Sequence, residues 1–177
     1  YKCFRDLAYP ADGNGTQIFF TTHNPSFVDA SKAYELELLY KEPDAGTSKY
    51  DKHPRLKELV VAEKFKIYTH FNPERSELFF SDKVLLVEGH SDKILFTTLA
   101  EEKWNIDLEK ENISIVECGG KTGVLYFIWV CKLHGKNNFF AVWDKDDEIE
   151  EKHAISLTKF ISEGFGLELN PNLEQMI

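Results

Sequence analysis

Three short apolar runs stand out in the second half of the chain. Each is rich in β-branched or aromatic residues, and each runs directly into a polar turn, which is typical of a buried strand. Because the runs are apolar at every position except Ser114, rather than alternating, they indicate strands that are covered on both faces of a sheet. The runs occupy residues 84–87, 113–116 and 139–143.

A helical pattern follows each apolar run. The predicted helices cover residues 91–104, 124–133 and 147–162, with Ser91 as the N-cap of the first and Gly135 ending the second. Three strand–helix units at a spacing of roughly 28 residues predict an α/β fold with an open parallel sheet and helices on both faces. The carboxyl ends of such strands share one edge, where ligands bind in these folds.

The first 80 residues follow a less regular pattern. Residues 17–22 and 34–40 predict two strands, and the polar stretch 42–54 predicts a loop. Asn72 and Pro73 look like the cap and first position of a helix. The aromatic pairs at 19–20, 79–80 and 139–140, together with His90 and His134, are most simply turn and core residues, and no function is assigned to them.

Composition excludes several classes of protein. The chain has 177 residues, of which 42% are hydrophobic and 29% charged, as in ordinary globular proteins. No apolar run approaches the roughly 18 residues of a membrane helix. The three cysteines contain no CxxC pair, so neither a zinc site nor a disulfide framework is expected, and a cytoplasmic location fits best. Because the chain begins at Tyr1 without a leader pattern, we expect it to be an internal piece of a longer protein.

The net charge of -9 is unevenly distributed. Residues 1–80 hold 12 acidic and 11 basic residues, a balance of -1, whereas residues 81–177 hold 18 acidic and 10 basic residues, a balance of -8. Long-range attraction to nucleic acid is therefore not expected from this chain alone. The acidic half could serve solubility, or it could hold carboxylates that collect a metal ion.

Two groups of carboxylates follow predicted strands. Glu88 and Asp92 flank the turn after the first strand, and Asp144, Asp146 and Glu148 follow the third. The alternative interpretation is that these acids only support helix N-termini. Several carboxylates within about 4 Å of each other repel by on the order of 4 kcal/mol per pair at an effective dielectric near 20, so a cluster of them needs a cation or protons. Oxygen ligands favour Mg²⁺ or Mn²⁺, the usual metals of chemistry on phosphates.

Two further motifs are weaker. The loop Gly119-Gly120-Lys121 could bring backbone N–H groups and a lysine to a phosphate, although the glycines alone would also explain a strand-to-helix turn. A Walker A loop is excluded, because it would need glycine where the chain has Ile115. His23, after the predicted strand 17–22, could reach a nucleotide γ-phosphate, or it could be an ordinary loop histidine.

These motifs together resemble a known family. Residues 84–92 (VLLVEGHSD) and 142–146 (VWDKD) are similar to the Toprim domain of topoisomerases, primases and nucleases, and residues 17–29 resemble the switch-histidine strand of an ABC-type ATPase. This order of modules is that of the OLD (overcoming lysogenization defect) family of ATP-dependent nucleases. The resemblance implies the C-terminal tail of an ATPase domain and its connection over residues 1–75. It also implies a Toprim nuclease domain over 76–177, with a Toprim-like open parallel sheet.

The resemblance carries functional expectations. It implies DNA nicking or cleavage with Mg²⁺ or Mn²⁺ at two sites, possible roles in phage defence or DNA processing, an ATPase region in cis and a homo-oligomer formed through that region. ATP is expected to act only in the full-length protein, with His23 sensing its γ-phosphate. Glu88, Asp144 and Asp146 are the implied catalytic residues, and Asp92 and Glu148 are further implied metal ligands. One metal would polarise the attacking water and the other would neutralise the leaving oxygen.

The chain also departs from a complete member of that family. It contains no Walker A or Walker B segment, and no arginine follows residue 80. Further strands, acidic ligands and a basic residue are expected to lie beyond the third strand in the family, so Lys121 and Lys145 are the local candidates for a cation that faces phosphate. The alternatives are the Toprim domain of a primase or a topoisomerase, and a scaffold that has lost catalysis. The ATPase-like tail argues against the former, and retention of the carboxylates argues against the latter.

Overall fold

The fold is built on a four-stranded parallel sheet, seen in a computed structural model that describes residues 2–28, 30–42, 44–58, 74–145 and 151–169. The strands of this sheet are β3 (Lys83–Val87), β4 (Ile113–Glu117), β5 (Phe139–Asp144) and β6 (Gly166–Leu169). Every neighbouring pair is parallel, and the spatial order is β4-β3-β5-β6. The predicted open parallel sheet is therefore confirmed.

Helices flank the sheet after three of its strands. The structure has α2 (His90–Thr98), α3 (Lys121–Leu133) and α4 (Glu151–Ser162), with a π-helical turn, Leu99–Lys103, continuing α2. Gly135 adopts φ +74° just after α3, as expected of a residue that ends a helix. The predicted N-cap of α2, Ser91, is wrong, because the helix begins at His90 and Gly89 is its N-cap.

The core lies between the sheet and α3, which contacts β3, β5 and α4. Phe127 and Ile128 are fully buried on α3, opposite Leu86 of β3 and Trp143 of β5. Full burial of one such side chain contributes roughly 1.5–3 kcal/mol of transfer free energy. This packing holds α3 against β3 and β5.

The N-terminal part differs from the sequence prediction in several places. Residues 17–22 form no strand, and Phe19 is 84% exposed rather than part of a core, because an extended segment needs a neighbouring strand for its backbone hydrogen bonds. The predicted strand 34–40 is wrong over its first part, where the 3₁₀ segment Ala30–Glu35 lies, and only residues 39–40 belong to a strand. The predicted loop 42–54 contains half of an antiparallel hairpin. That hairpin is β1 (Leu39–Glu42) with β2 (Gly46–Lys49), and a short helix, α1 (Lys2–Ala8), precedes it.

A short connection leads from this part into the sheet. It is the 3₁₀ helix Arg75–Phe79, whose Leu78 and Phe79 are buried. The predicted helix start at Asn72 and Pro73 lies outside the described residues, as do residues 146–150, including the start of the predicted helix 147–162. Within the described ranges, no helix has both the length and the apolar character needed to span a membrane.

Candidate metal and phosphate site

Three acids lie at the carboxyl ends of adjacent strands. Glu117 is the last residue of β4, Glu88 follows β3 directly, and Asp144 is the last residue of β5. The strand register pairs Val87 with both Glu117 and Val142, so the three strands end at nearly the same level. The sheet therefore gathers acidic side chains at one edge, as predicted for Glu88 and Asp144.

Glu88 and Asp144 are in direct contact. The Asp144 backbone N–H donates to Glu88 Oε1, with 3.1 Å between nitrogen and oxygen. Both residues are partly buried. The hydrogen bond fixes the Glu88 carboxylate beside the residue that carries the second predicted carboxylate, although the two are 56 positions apart in sequence.

Asp92 supports the start of its own helix. Its Oδ2 accepts a hydrogen bond from the Gly89 N–H at 2.9 Å, so the side chain reaches back across the turn that follows Glu88. This is the arrangement of the alternative interpretation, in which an acid in the first turn stabilises a helix N-terminus. It also keeps the Asp92 carboxylate beside the Glu88 turn.

The donor set suits a hard cation but is incomplete. Glu88, Asp92 and Asp144 offer only oxygen atoms, the ligands that Mg²⁺ and Mn²⁺ prefer. Within residues 2–28, 30–42, 44–58, 74–145 and 151–169, no three His, Cys, Asp or Glu side chains are grouped so that they could hold one ion. Asp146 and Glu148 lie outside the described residues, so their predicted roles as ligands stay predictions.

The backbone amides of the glycine loop point at Glu88. Gly119 and Gly120 adopt φ +76° and +100°, and both their N–H groups donate to the Glu88 carbonyl oxygen at 2.9 Å. These two amides are thus engaged within the protein, which favours the turn interpretation over a phosphate cradle. Lys121, the first residue of α3, is buried, and its predicted contact with phosphate stays a prediction.

Two residues at this edge were not singled out by the sequence patterns. Glu117 lies 3.3 Å from His90, measured from Oε2 to Nδ1, and 3.9 Å from Arg75, measured from Oε1 to a terminal guanidinium nitrogen. A carboxylate that ends a predicted strand was a usable signal for Glu117. No comparable signal existed for Arg75, because it precedes the first strand of the sheet by eight positions.

The cysteine beside the glycine loop is not a candidate nucleophile. Burial raises the pKa of the Cys118 thiol well above its ordinary value, and the side chain is fully enclosed. A thiol reacts through its thiolate, which burial disfavours. Cys118 therefore adds no nucleophile to the carboxylates at this edge.

His23 lies in a different segment of the chain, the irregular stretch before the 3₁₀ helix Pro25–Phe27. Its side chain is exposed, and the next residue, Asn24, caps that short helix by accepting the Ser26 N–H at 2.9 Å. The predicted role of His23 as a sensor of γ-phosphate stays a prediction.

Comparison with known proteins relates the part of the chain that contains β3, β4 and β5 to one family. A family model described as the Toprim domain of overcoming lysogenization defect protein-like proteins matches residues 79–146. A relative from Thermus scotoductus named OLD nuclease is 30% identical over 159 residues. The alignment covers 84% of this chain and 29% of the relative, so the chain spans less than a third of that relative's length.

Two solved structures are similar over about half of the chain. The C-terminal region of the Xanthomonas campestris pv. campestris OLD protein has a TM-score of 0.44 and 21% identity, covering 55% of this chain and 54% of its own. The C-terminal region of the Burkholderia pseudomallei OLD protein has a TM-score of 0.42 and 18% identity, covering 51% and 54%.

Proposed function

Because this chain belongs to the OLD-like Toprim family through residues 79–146, we propose that it carries the nuclease site of a metal-dependent DNA endonuclease. The reaction is hydrolysis of a phosphodiester bond, giving nicks or breaks. The observation that carries the proposal is the contact between Glu88 Oε1 and the Asp144 N–H at the carboxyl edge of the parallel sheet.

Glu88 and Asp144 are the residues proposed to hold the metal, with Asp92, Asp146 and Glu148 as further ligands. When bound, Mg²⁺ or Mn²⁺ supplies positive charge to the phosphate oxygens and makes a water molecule more acidic. The chain contributes placement. The hydrogen bond from Asp144 orients the Glu88 carboxylate, the two glycine amides fix the Glu88 carbonyl, and Asp92 closes the turn at Gly89.

The rest of the proposal concerns the whole protein. The relative named OLD nuclease extends far beyond the aligned part, and the resemblance of residues 17–29 to an ATPase strand supports a role for ATP in a region joined to this one. We propose DNA as the substrate, an ATPase region in cis, assembly of a homo-oligomer through that region, and roles in phage defence or DNA processing.

The test uses isosteric changes in the full-length protein. We expect Glu88→Gln and Asp144→Asn each to reduce Mg²⁺- or Mn²⁺-dependent nicking of supercoiled plasmid by about 100-fold or more, the scale on which a group acting directly in the reaction is felt. Glu88→Gln retains an oxygen for the Asp144 N–H, so the local fold should survive.

Glu111→Gln is the matched control. Glu111 is half exposed and pairs with Lys83 at the opposite end of the same strands, at 3.5 Å between Oε2 and Nζ. This variant should nick at the wild-type rate. Wild-type nicking by both Glu88→Gln and Asp144→Asn would exclude this edge as the nuclease site.

A further inference from the structure

We propose that Arg75 is a positioning residue of the nuclease site, holding the glycine loop that in turn holds Glu88. This inference rests on the proposed function for its kinetic consequences. Arg75 lies in the connection before the sheet, whereas the glycine loop follows β4.

The guanidinium of Arg75 binds to the last residue of β4, Glu117. Its Nε donates to the Glu117 carbonyl oxygen at 2.8 Å, and one terminal nitrogen lies 3.9 Å from Glu117 Oε1. The guanidinium carbon is 6.0 Å from the centre of the Phe127 ring, and the side chain is only 18% exposed. Since the 2.8 Å hydrogen bond is to a backbone carbonyl, Arg75 acts on the course of the chain and not only on a side chain.

The backbone at Gly119 lies close to this guanidinium. A Cβ atom at position 119 would lie 3.1 Å from the same terminal nitrogen of Arg75, which is tighter than most packing contacts, and the φ of +76° also favours glycine. The loop and the arginine are therefore fitted to each other. Substitution at either position should move the other.

The glycine loop, held by Arg75, in turn holds the backbone of Glu88. The N–H groups of Gly119 and Gly120 both donate to the Glu88 carbonyl, and the Glu88 carboxylate accepts the Asp144 N–H. Arg75 is thus connected to Asp144 by three sets of hydrogen bonds, with the backbone from Glu117 to Gly120 and the residue Glu88 linking one set to the next. Residues that orient ligands in this indirect way typically change metal affinity or activity by 10–100-fold when they are lost.

Lysine cannot reproduce these contacts. An ammonium group offers donors at a single point, whereas the guanidinium reaches the Glu117 carbonyl and the Glu117 carboxylate from separate nitrogens. Arg75→Lys keeps the charge and most of the stem, so it separates the geometry of the fork from its charge.

The experiment compares Arg75→Ala, Arg75→Lys and the control Arg55→Ala in the full-length protein. Arg55 is 68% exposed and pairs with Glu58, three positions along the chain, so its loss removes the same charge from a surface site. The measurements are amide hydrogen exchange without metal, Mn²⁺ titration by calorimetry without DNA, and the kcat and KM of plasmid nicking.

We expect both Arg75 variants to exchange the Gly119 and Gly120 amides faster while residues 84–87 stay protected. We also expect about 10-fold or greater losses in Mn²⁺ affinity and in kcat, with KM for DNA near wild type. Arg55→Ala should match wild type in every measurement. Unchanged exchange at the loop would overturn the inference, as would a change in KM alone, which would make Arg75 a DNA contact.

Unfolding of both Arg75 variants would assign Arg75 to fold stability and would also overturn the inference. Different results would contradict the proposed nuclease function. A wild-type protein that binds no Mn²⁺, or that binds it without nicking, would contradict the nuclease proposal, while hydrogen exchange would still decide whether Arg75 holds the loop.

Discussion

His134 is a histidine that the core holds in its neutral form. It is 1% exposed, its ring meets the edge of Phe79 with 5.1 Å between ring centres, and neither ring nitrogen has a hydrogen-bond partner among the described residues. Burial, together with the positive charge of Lys52 and against an opposing effect of Glu37, lowers the pKa of His134 to about 4. The protein therefore excludes the protonated ring.

This predicts a loss of stability in mild acid. The unfolded chain takes up a proton on His134 near pH 6.5, whereas the folded chain takes it up only near pH 4, so the free energy of unfolding should fall between these values. The contribution is about 3 kcal/mol from a difference of that size. In His134→Leu, urea unfolding from pH 7 to pH 4 should lack this component. An unchanged slope would show that His134 is not the group responsible.

At the residue scale, strand ends were the predictable part of the site. Glu88 and Asp144 could be placed together because parallel strands share a carboxyl edge. The Arg75 contact could not be predicted, because it depends on the path of the connection before β3 and on a close approach to Gly119. Sequence spacing carries no information about such a fold-back.

The edge strand β6 packs against the aromatic ring of Trp143. A Cβ atom on Gly166 would lie 2.3 Å from the Trp143 ring, so the indole occupies the space that any other residue would need. Trp143 is 1% exposed, and its Nε1 donates to Glu168 Oε1 at 3.2 Å. Since Asp144 is the next residue, the fit between β5 and β6 bears directly on the candidate site.

Gly166→Ala should therefore disturb both stability and the site. We expect a loss of about 1–3 kcal/mol in unfolding free energy from overpacking, with altered near-ultraviolet circular dichroism from Trp143. Mn²⁺ affinity should fall with it, because Asp144 moves with Trp143. Glu168→Gln, which keeps an oxygen for the indole N–H, should leave all three measurements unchanged. Wild-type stability and dichroism in Gly166→Ala would refute this tight fit.

At the element scale, the repeating strand–helix units were predictable and the N-terminal elements were not. The three apolar runs match β3, β4 and β5 to within one residue at each end. The four-residue strand β6 was missed, because Gly166 and Glu168 break its apolar pattern. Residues 17–22 carry a strand pattern but have no neighbouring strand within the described residues, and propensity alone does not make a strand.

Across the whole molecule, the N-terminal part is attached at the end of the sheet opposite the candidate site. The His53 N–H donates to the Leu133 carbonyl at 2.8 Å, just after the β1–β2 hairpin. Lys136, whose pKa is lowered by burial, donates to the Ser81 carbonyl and lies 5.9 Å from the centre of the Tyr50 ring. The segment 50–53 thus joins the hairpin to the loop between α3 and β5.

Gly135 packs tightly against this attached segment. A Cβ atom there would lie 2.3 Å from the Asp51 carbonyl oxygen, so Gly135→Ala should push the segment 50–53 away. Hydrogen exchange should rise across residues 39–53, while β3 and the Gly119 amide keep their protection. Gly164→Ala is the matched control, because Gly164 has a similar φ of +80° but no atom within 4 Å of the added carbon. Equal exchange patterns in the two variants would mean that backbone strain, and not contact with Asp51, controls the attachment.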